Sequence, residues 1–262
     1  MKLSASNIAW SAEQDDRFCR LMRDLGFIGL EIAPTRWFPR EPYSHCAEAA
    51  LMARQLREKY GLCISSMQSI WYGRTENIAA SAGERQTLLA YTAEALRFAN
   101  AVGCRNLVFG CPKNRAVRQA EQAETVIEFL EEAAALAEKL GIVIALEPNP
   151  PIYQTNFANT TPEALAIVRR ISSPGLMVNL DFGTLAENRE SPDIPAEDLC
   201  SVHHVHVSEP MLRPVVRRPE HDALRRALER SGYDGFVSLE MGNPGSPEPA
   251  EQALRDLAEV FS

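Results

Sequence analysis

The sequence predicts a single-domain (β/α)8 TIM barrel that spans residues 1–262. Short β-branched or apolar runs alternate with helical stretches rich in Ala, Leu, Glu and Arg over the whole chain. The phrases DLGFIGLEI, KYGLCIS, AVGCRNLVF and KLGIVIALE repeat one order of features, a helix end, a glycine and a strand. A length of 262 residues suits eight such units in one domain.

The strands are predicted, in chain order, at 3–9, 27–33, 62–68, 105–110, 142–147, 175–181, 202–207 and 235–240. Helices are expected between them, most clearly at 84–102 and 119–140. Thr161 is predicted to be a helix N-cap, because it precedes Pro162 and Glu163. A doubly wound open sheet is the alternative, but no G-x-G-x-x-G motif follows a strand.

The composition of the chain limits the kinds of partner and compartment that we expect for it. A net charge of −8 and a pI near 5.3 argue against a nucleic-acid partner. No apolar run approaches the ~18 residues of a membrane span, and MKLSASNIAW lacks the apolar segment of a signal peptide. The six cysteines form no C-x-x-C pair, so we expect reduced thiols and a cytoplasmic protein. The sequence leaves a homo-oligomer open.

Side-chain alternation along the last four strands sorts residues into two faces. One face is wholly aliphatic and should pack on the helices. The other face of each strand ends with an ionisable residue, and these residues are Glu147, Asp181, His206 and Glu240. Their spacings of 34, 25 and 34 residues approximate one βα unit each. All four should therefore meet at the carboxyl-terminal mouth of the barrel, where barrel enzymes keep their active sites.

Three carboxylates and an imidazole that converge in a partly dry pocket would repel and lose hydration. One such residue alone is usually an ion-pair partner or a loop cap, but a divalent cation accounts for all four together. Oxygen ligands with a single imidazole favour Mn²⁺, Mg²⁺ or Co²⁺, with Zn²⁺ possible. We therefore predict one divalent metal ion held by these residues.

Four motifs carry a resemblance to a known family. LEPN at 146–149, LDFG at 180–183, HVHVSE at 204–209 and GYDGFVSLE at 232–240 resemble the sugar phosphate isomerase/epimerase family, the xylose isomerase-like barrels. The resemblance covers essentially the whole chain. It implies that Glu147, Asp181, His206 and Glu240 hold the metal. It also implies that Glu147 and Glu240 act as paired acid and base, removing a proton beside a carbonyl to form an enediolate.

The sequence departs from the family pattern at positions that contact substrate. Many members carry a histidine three residues after the aspartate, and Thr184 occupies that position here. Tyr153 stands where ketose 3-epimerases often place a carboxylate. Arg213 is near, but out of register with, an arginine that those enzymes use. These departures make free ketohexoses doubtful substrates while the metal and acid/base residues are retained.

Seven further residues are candidate contacts to a small carbohydrate-like substrate. Glu31 and Gln68 have inward parity on early strands, His204 lies one inward layer below His206, and Asn149 follows Glu147. Arg115 and Arg213 could bind an anionic group through their guanidinium groups. His221, at a helix start, is either a cap or a substrate contact.

The sequence leaves several functions open. An isomerase or epimerase of a small sugar, sugar acid or related hydroxy-carbonyl compound is favoured. A dehydratase or lyase would begin with the same proton abstraction. A zinc-dependent endonuclease-like phosphodiesterase fits poorly, because no histidine lies at the ends of the first four strands. A non-catalytic barrel would have little need for all four ligands.

Overall fold

The computed structural model describes residues 1–262 and contains eight parallel strands, which close into a barrel in chain order. The strands are β1 Lys2–Ser6, β2 Gly29–Ile32, β3 Cys63–Met67, β4 Asn106–Phe109, β5 Val143–Leu146, β6 Leu176–Asp181, β7 Val202–Val207 and β8 Phe236–Leu239. The α-helices are α1 Asp15–Asp24, α2 Pro34–Trp37, α3 Cys46–Tyr60, α4 Ala82–Val102, α5 Gln122–Glu138, α6 Thr161–Ile171, α7 Phe182–Asn188, α8 Ala196–Leu199, α9 Pro219–Ser231 and α10 Glu248–Phe261.

Pairing between β1 and β8 closes the sheet, with Leu3 opposite Val237. This closure confirms the predicted TIM barrel and excludes the doubly wound alternative, which has open edges. No helix is both long enough and apolar enough to cross a membrane.

Three local predictions needed correction. The first strand ends at Ser6 rather than at residue 9, because Asn7–Ala9 form a 3-10 turn and the Asn7 side chain accepts a hydrogen bond from Ala33 N (3.0 Å). The N-cap of α6 is Thr160 rather than Thr161. Thr160 Oγ1 accepts from Glu163 N (3.3 Å), and Glu163 Oε2 accepts from Thr160 N (3.2 Å). This reciprocal capping box places Pro162 inside the first turn.

The connection between β6 and β7 is not the single helix that the repeated strand–helix pattern predicts. It is divided into α7 and α8. Helix α7 begins directly after β6, because the Asp181 side chain caps it by accepting a hydrogen bond from Thr184 N (2.8 Å). The segment that follows contains Pro192 and Pro195, which cannot donate helical hydrogen bonds.

The outward faces of the strands form the hydrophobic core between barrel and helices. The predicted aliphatic faces of β5 to β8 all belong to one cluster of 68 buried apolar residues, and they include Ile144, Leu146, Val178, Leu180, Val205, Val207, Val237 and Leu239. Their burial in that layer leaves the inward positions of the same strands available for polar side chains.

The interior of the barrel is polar over much of its length. Ser4 and Ser65 hydrogen-bond to each other (2.6 Å), and Asn106 donates to Ser66 Oγ (2.9 Å). Higher up, Gln68 donates to Ser6 Oγ (2.7 Å). Each of these groups is buried and paired, so the interior supports the polar mouth without leaving these groups unsatisfied.

Candidate active site

The carboxyl ends of β5 to β8 bring Glu147, Asp181, His206 and Glu240 together. Asp181 lies opposite His206 in the β6–β7 ladder, and His206 lies opposite Ser238 on β8. Glu147 and Glu240 follow the last assigned residues of their strands, but the ladder continues through Glu147 N to Phe109 O (3.1 Å) and Glu240 N to Val207 O (3.0 Å). Backbone pairing therefore fixes the position of both glutamates along the barrel axis.

His206 contacts both glutamates of the cluster. Its Nδ1 atom lies 3.0 Å from Glu147 Oε1 and 3.2 Å from Glu240 Oε2, and its ring is fully buried. One ligand atom from each of the four residues lies within 4.8 Å of the other three. Two ligands on opposite sides of a Mg²⁺-sized ion are about 4.2 Å apart, because each bond is about 2.1 Å long. The donor set and its spread therefore fit a single divalent ion.

Glu147 is held by two amide side chains. Asn149 Nδ2 donates to Oε2 (3.0 Å) and Asn179 Nδ2 donates to Oε1 (2.7 Å). Gly110 packs against the same carboxylate, and a Cβ atom at this position would lie 2.9 Å from Glu147 Oε2. The position of Glu147 is thus restricted by both hydrogen bonds and the close approach of a glycine.

Asp181 is held by hydroxyl and backbone donors. Ser208 Oγ donates to Oδ1 (2.5 Å), and Thr184 donates to Oδ2 through both its backbone N (2.8 Å) and its Oγ1 (2.9 Å). Thr184 is fully buried, and its hydrogen bonds fix the orientation of the Asp181 carboxylate.

The charges of the cluster shift its pKa values in opposite directions. Burial raises the pKa of Glu240 to about 7, even though His206 opposes this shift, and Glu147 and Glu31 add to it. Burial also raises the pKa of Asp181, with a further contribution from Glu147. Burial would raise the pKa of Glu147 as well, but the hydrogen bond and charge of His206 outweigh it and lower that pKa.

The carboxylates around His206 favour the charged form of its ring. Burial disfavours its charged form, but Glu240, Glu31 and Glu147 outweigh burial and raise its pKa well above the ordinary histidine value. One imidazolium cannot neutralise three converging carboxylates and Glu31 beneath them. This excess of negative charge is what a divalent cation would balance.

A cavity of about 190 Å³ opens beside the cluster. Glu147, Asp181 and Glu240 line the cavity, whereas His206 lies beneath it and is not part of its lining. Its other lining residues are Gln68, Ser69, Val108, Gly110, Cys111, Pro112, Asn149, Tyr153, Ser208 and Leu212. The lining includes no arginine, lysine or histidine. It combines the carboxylates with neutral polar and apolar groups.

The cavity includes two of the seven predicted substrate contacts, Gln68 and Asn149. Glu31 and His204 lie behind His206 instead. Glu31 Oε2 is 2.9 Å from His206 Nε2, and His204 Nε2 is 3.2 Å from the same oxygen but poorly aligned for a hydrogen bond. Both residues have inward parity as predicted, but both sit one layer too deep to line the cavity.

Arg115 lies outside the lining of the cavity. Its side chain is fully buried and donates to the backbone oxygens of Phe109 (3.2 Å) and Glu147 (2.8 Å) and to Asn149 Oδ1 (3.0 Å). Because these acceptors engage its guanidinium, Arg115 supports the loop after β5 and orients Asn149, which in turn holds Glu147.

Arg213 and His221 also lie outside the cavity lining. Arg213 is exposed near the mouth, and its Nε donates to Pro210 O (3.1 Å). His221 is buried at the start of α9, packs edge-on against Phe182, and accepts from Arg218 N through Nδ1 (3.4 Å). Of its two predicted roles, the geometry matches the cap.

Several residues that orient the carboxylates or edge the cavity were not among the predicted ligands or contacts. Asn179 orients Glu147, Ser208 orients Asp181, and the hydroxyl of Tyr153 accepts from Met211 N (2.7 Å) at the edge of the cavity. Asn179 has the same inward parity as Asp181, a signal that could have identified it. Tyr153 was noted only as a departure from the family pattern.

A comparison with models of protein families shows to which family the chain belongs. The model of the xylose isomerase-like TIM barrel matches residues 19–262. The chain belongs to this family. Its four clustered residues lie at the strand ends that the resemblance implied, and the whole match falls within the single barrel.

Several solved structures are similar to this chain over essentially its full length. A 3-keto-D-glucoside 4-epimerase from E. coli is 21% identical, with 99% of this chain and 98% of that chain covered and a TM-score of 0.76. A D-psicose 3-epimerase is 19% identical, with 100% and 99% covered and a TM-score of 0.77. A family 2 AP endonuclease from Brucella melitensis is 23% identical, with 100% of both chains covered and a TM-score of 0.75.

At these identities, the likeness shows a common fold. A comparison with curated protein sequences finds no significant match. The function must therefore be argued from the side chains of the site itself.

Proposed function

We propose that this protein is a divalent-metal-dependent isomerase or epimerase of a small hydroxy-carbonyl compound. The observation that carries the proposal is that Glu147, Asp181 and Glu240 line one small cavity, with His206 beneath it and a ligand atom of all four residues within 4.8 Å of the others. Strands β5 and β8 are three places apart in the closed barrel, so their glutamates approach the cavity from different sides. This arrangement suits removal of a proton from one face of a carbon and its return to the other.

The two glutamates have different environments, which suits opposite roles. The pKa of Glu147 is lowered, so this carboxylate stays ionised and can accept a proton from the carbon beside a carbonyl. When no cation is bound, burial raises the pKa of Glu240 to about 7, so the two glutamates differ in their affinity for a proton. Paired carboxyl groups with separated pKa values are a common basis for acid/base assignment.

The remaining residues position these groups. Asn149 and Asn179 hold the carboxylate of Glu147, while Ser208 and Thr184 hold that of Asp181. A divalent ion bound by Glu147, Asp181, His206 and Glu240 would stabilise negative charge that develops on the carbonyl oxygen when the proton leaves. Mn²⁺, Mg²⁺ and Co²⁺ suit three carboxylates and one imidazole.

The cavity favours an uncharged substrate. Its lining contains no cationic side chain, and Arg115 is engaged by protein acceptors below it. A phosphate or carboxylate would meet Glu147, Asp181 and Glu240 without a matching guanidinium, apart from the exposed Arg213 at the mouth. Tyr153 and Gln68 offer hydrogen bonds to neutral hydroxyl groups, and burial raises the pKa of Tyr153 to about 12, so its hydroxyl stays protonated. We therefore favour a neutral polyhydroxy carbonyl compound.

Solvent-deuterium exchange tests this proposal. The protein with added Mn²⁺ is incubated in D₂O with neutral ketoses, inososes, hydroxy-keto acids and sugar phosphates, and each compound is followed by NMR. We expect deuterium at a carbon beside the carbonyl of a neutral compound, and no label when a chelator removes the metal. Inverted configuration, a moved carbonyl or a lost hydroxyl distinguishes epimerase, isomerase and dehydratase. Absence of label across the whole panel would contradict the proposal.

A phosphodiesterase is less consistent with the site. The ends of β1 to β4 carry no histidine, and the second group of metal-ligating residues, Glu31, His204 and His206, lies beneath the cavity. The cavity is small and acidic and its lining carries no cationic side chain, so it offers no group that would bind a nucleic-acid backbone.

A further inference from the structure

His206 has carboxylates at both ring nitrogens. Nδ1 faces Glu147 and Glu240 at 3.0 and 3.2 Å, and Nε2 faces Glu31 at 2.9 Å. A neutral imidazole has one N–H group and one lone pair. The carboxylate that accepts the N–H therefore decides which side of the ring can bind a cation.

Glu31 differs from the other carboxylates around this ring. It lies on β2, is fully buried, and does not line the cavity. Its second oxygen, Oε1, accepts from Gln68 Nε2 (3.1 Å), and the same Gln68 nitrogen donates to Ser6 Oγ (2.7 Å). Glu31 is thus a fixed acceptor with no route to the substrate.

We propose that Glu31 is a positioning residue that sets the metal-binding face of His206, a role that rests on the metal centre of the proposed function. The Glu31 carboxylate accepts the Nε2–H of His206 and leaves the Nδ1 lone pair directed at Glu147, Asp181 and Glu240. A metal-bound histidine commonly donates its other N–H to a carboxylate, which fixes the ring and increases its basicity as a ligand.

The alternative is a second cation between Glu31, His204 and His206 Nε2, whose ligand atoms also lie within 4.8 Å of one another. The charge distribution disfavours it. Glu31 is the sole carboxylate of that group, and its Oε1 already accepts a hydrogen bond from Gln68. Three carboxylates face the Nδ1 side, so a single cation is better placed there.

Mn²⁺ titration calorimetry tests the assignment with the wild type, Glu31→Ala, Glu31→Gln and the control Asn106→Ala. Asn106 is a buried polar residue of the barrel interior that contacts Ser66 and His203 but none of the four ligands. We expect Glu31→Ala to weaken Mn²⁺ binding by about 10- to 100-fold. Glu31→Gln should lose less, because its amide oxygen can still accept the N–H, and Asn106→Ala should bind as the wild type does.

Nitrogen-15 NMR of the Zn²⁺-loaded protein gives a second readout that a general loss of packing would not produce. In the wild type, His206 should show a protonated Nε2 and a coordinated Nδ1. Unchanged Mn²⁺ affinity in folded Glu31→Ala, or coordination through Nε2, would overturn the inference. Should Glu31→Ala not fold, Zn²⁺ coordination through Nε2 in the wild type would still overturn it.

Mn²⁺ binding by the wild type distinguishes a failure of this inference from a failure of the proposed function. One tight Mn²⁺ per chain is the expected result. Two tight ions per chain would overturn the positioning role in favour of the second cation site. No Mn²⁺ binding by the wild type would overturn the metal centre itself, whereas tight wild-type binding with unaffected Glu31 variants would overturn the positioning role alone.

Discussion

Substitution of Gly110 by alanine tests whether the placement of Glu147 governs the reaction. The substitution removes no ligand and no hydrogen-bond donor, and Gly110 does not occupy the left-handed region, so alanine fits the backbone. The new Cβ would lie 2.9 Å from Glu147 Oε2, whereas ordinary contacts begin at 3.4 Å. The carboxylate must therefore move by about 0.5 Å, the difference between these two distances.

A misplacement of about 1 Å can reduce a rate by ~100-fold. On a logarithmic scale, a shift of half that size should lower kcat/KM by about tenfold, or about 1.4 kcal/mol in the barrier. The assay is the rate of deuterium exchange into the substrate that the screen identifies. Gly83→Ala is the matched control, because the nearest atom to its new Cβ is Ser81 Oγ at 4.0 Å. Wild-type kcat/KM in Gly110→Ala would refute the reasoning.

Two further predictions concern the metal. His206→Ala should lose most of its affinity for Mn²⁺ while its circular dichroism stays native, because the apolar packing of β7 lies on the opposite face; full occupancy by elemental analysis after dialysis would contradict this. Mn²⁺ affinity should also fall as pH falls, because carboxylates raise the pKa of His206 and the ion must displace the proton on its ring. The expected slope is on the order of tenfold per pH unit for each proton displaced. Calorimetry between pH 6 and 8 measures this slope, and an affinity independent of pH would refute it.

The four clustered residues could be predicted because their placement depends on two local rules. Alternation along a strand decides the face, and parallel pairing brings the ends of neighbouring strands to one edge. The ladder pairs Asp181 with His206 and His206 with Ser238, which is the alignment that inward parity requires. The barrel itself follows from the repeated helix–glycine–strand units.

The roles of Glu31 and Arg115 could not be read from parity. Glu31 faces inward as expected, but depth in the barrel depends on the stagger between strands, and the β2–β3 register shifts at Leu30/Glu31. Arg115 lies in a loop whose path decides whether its guanidinium meets solvent or backbone oxygens. Four acceptors beneath the site engage it, including Ala158 O at 3.4 Å. Such contacts join residues far apart in the chain and leave no local pattern.

The account rests most directly on the two glutamates, and deuterium exchange in Glu147→Gln and Glu240→Gln measures their roles. Each variant, with Mn²⁺ bound, is assayed with both members of the interconverting pair. General acid–base groups contribute ~10²–10⁴-fold, so turnover should fall by that amount, far more than metal binding. In an epimerase, each variant should still exchange the epimer whose proton faces the remaining glutamate, without completing the inversion. If both variants bind the metal and keep near-wild-type turnover, the catalytic assignment of Glu147 and Glu240 is wrong.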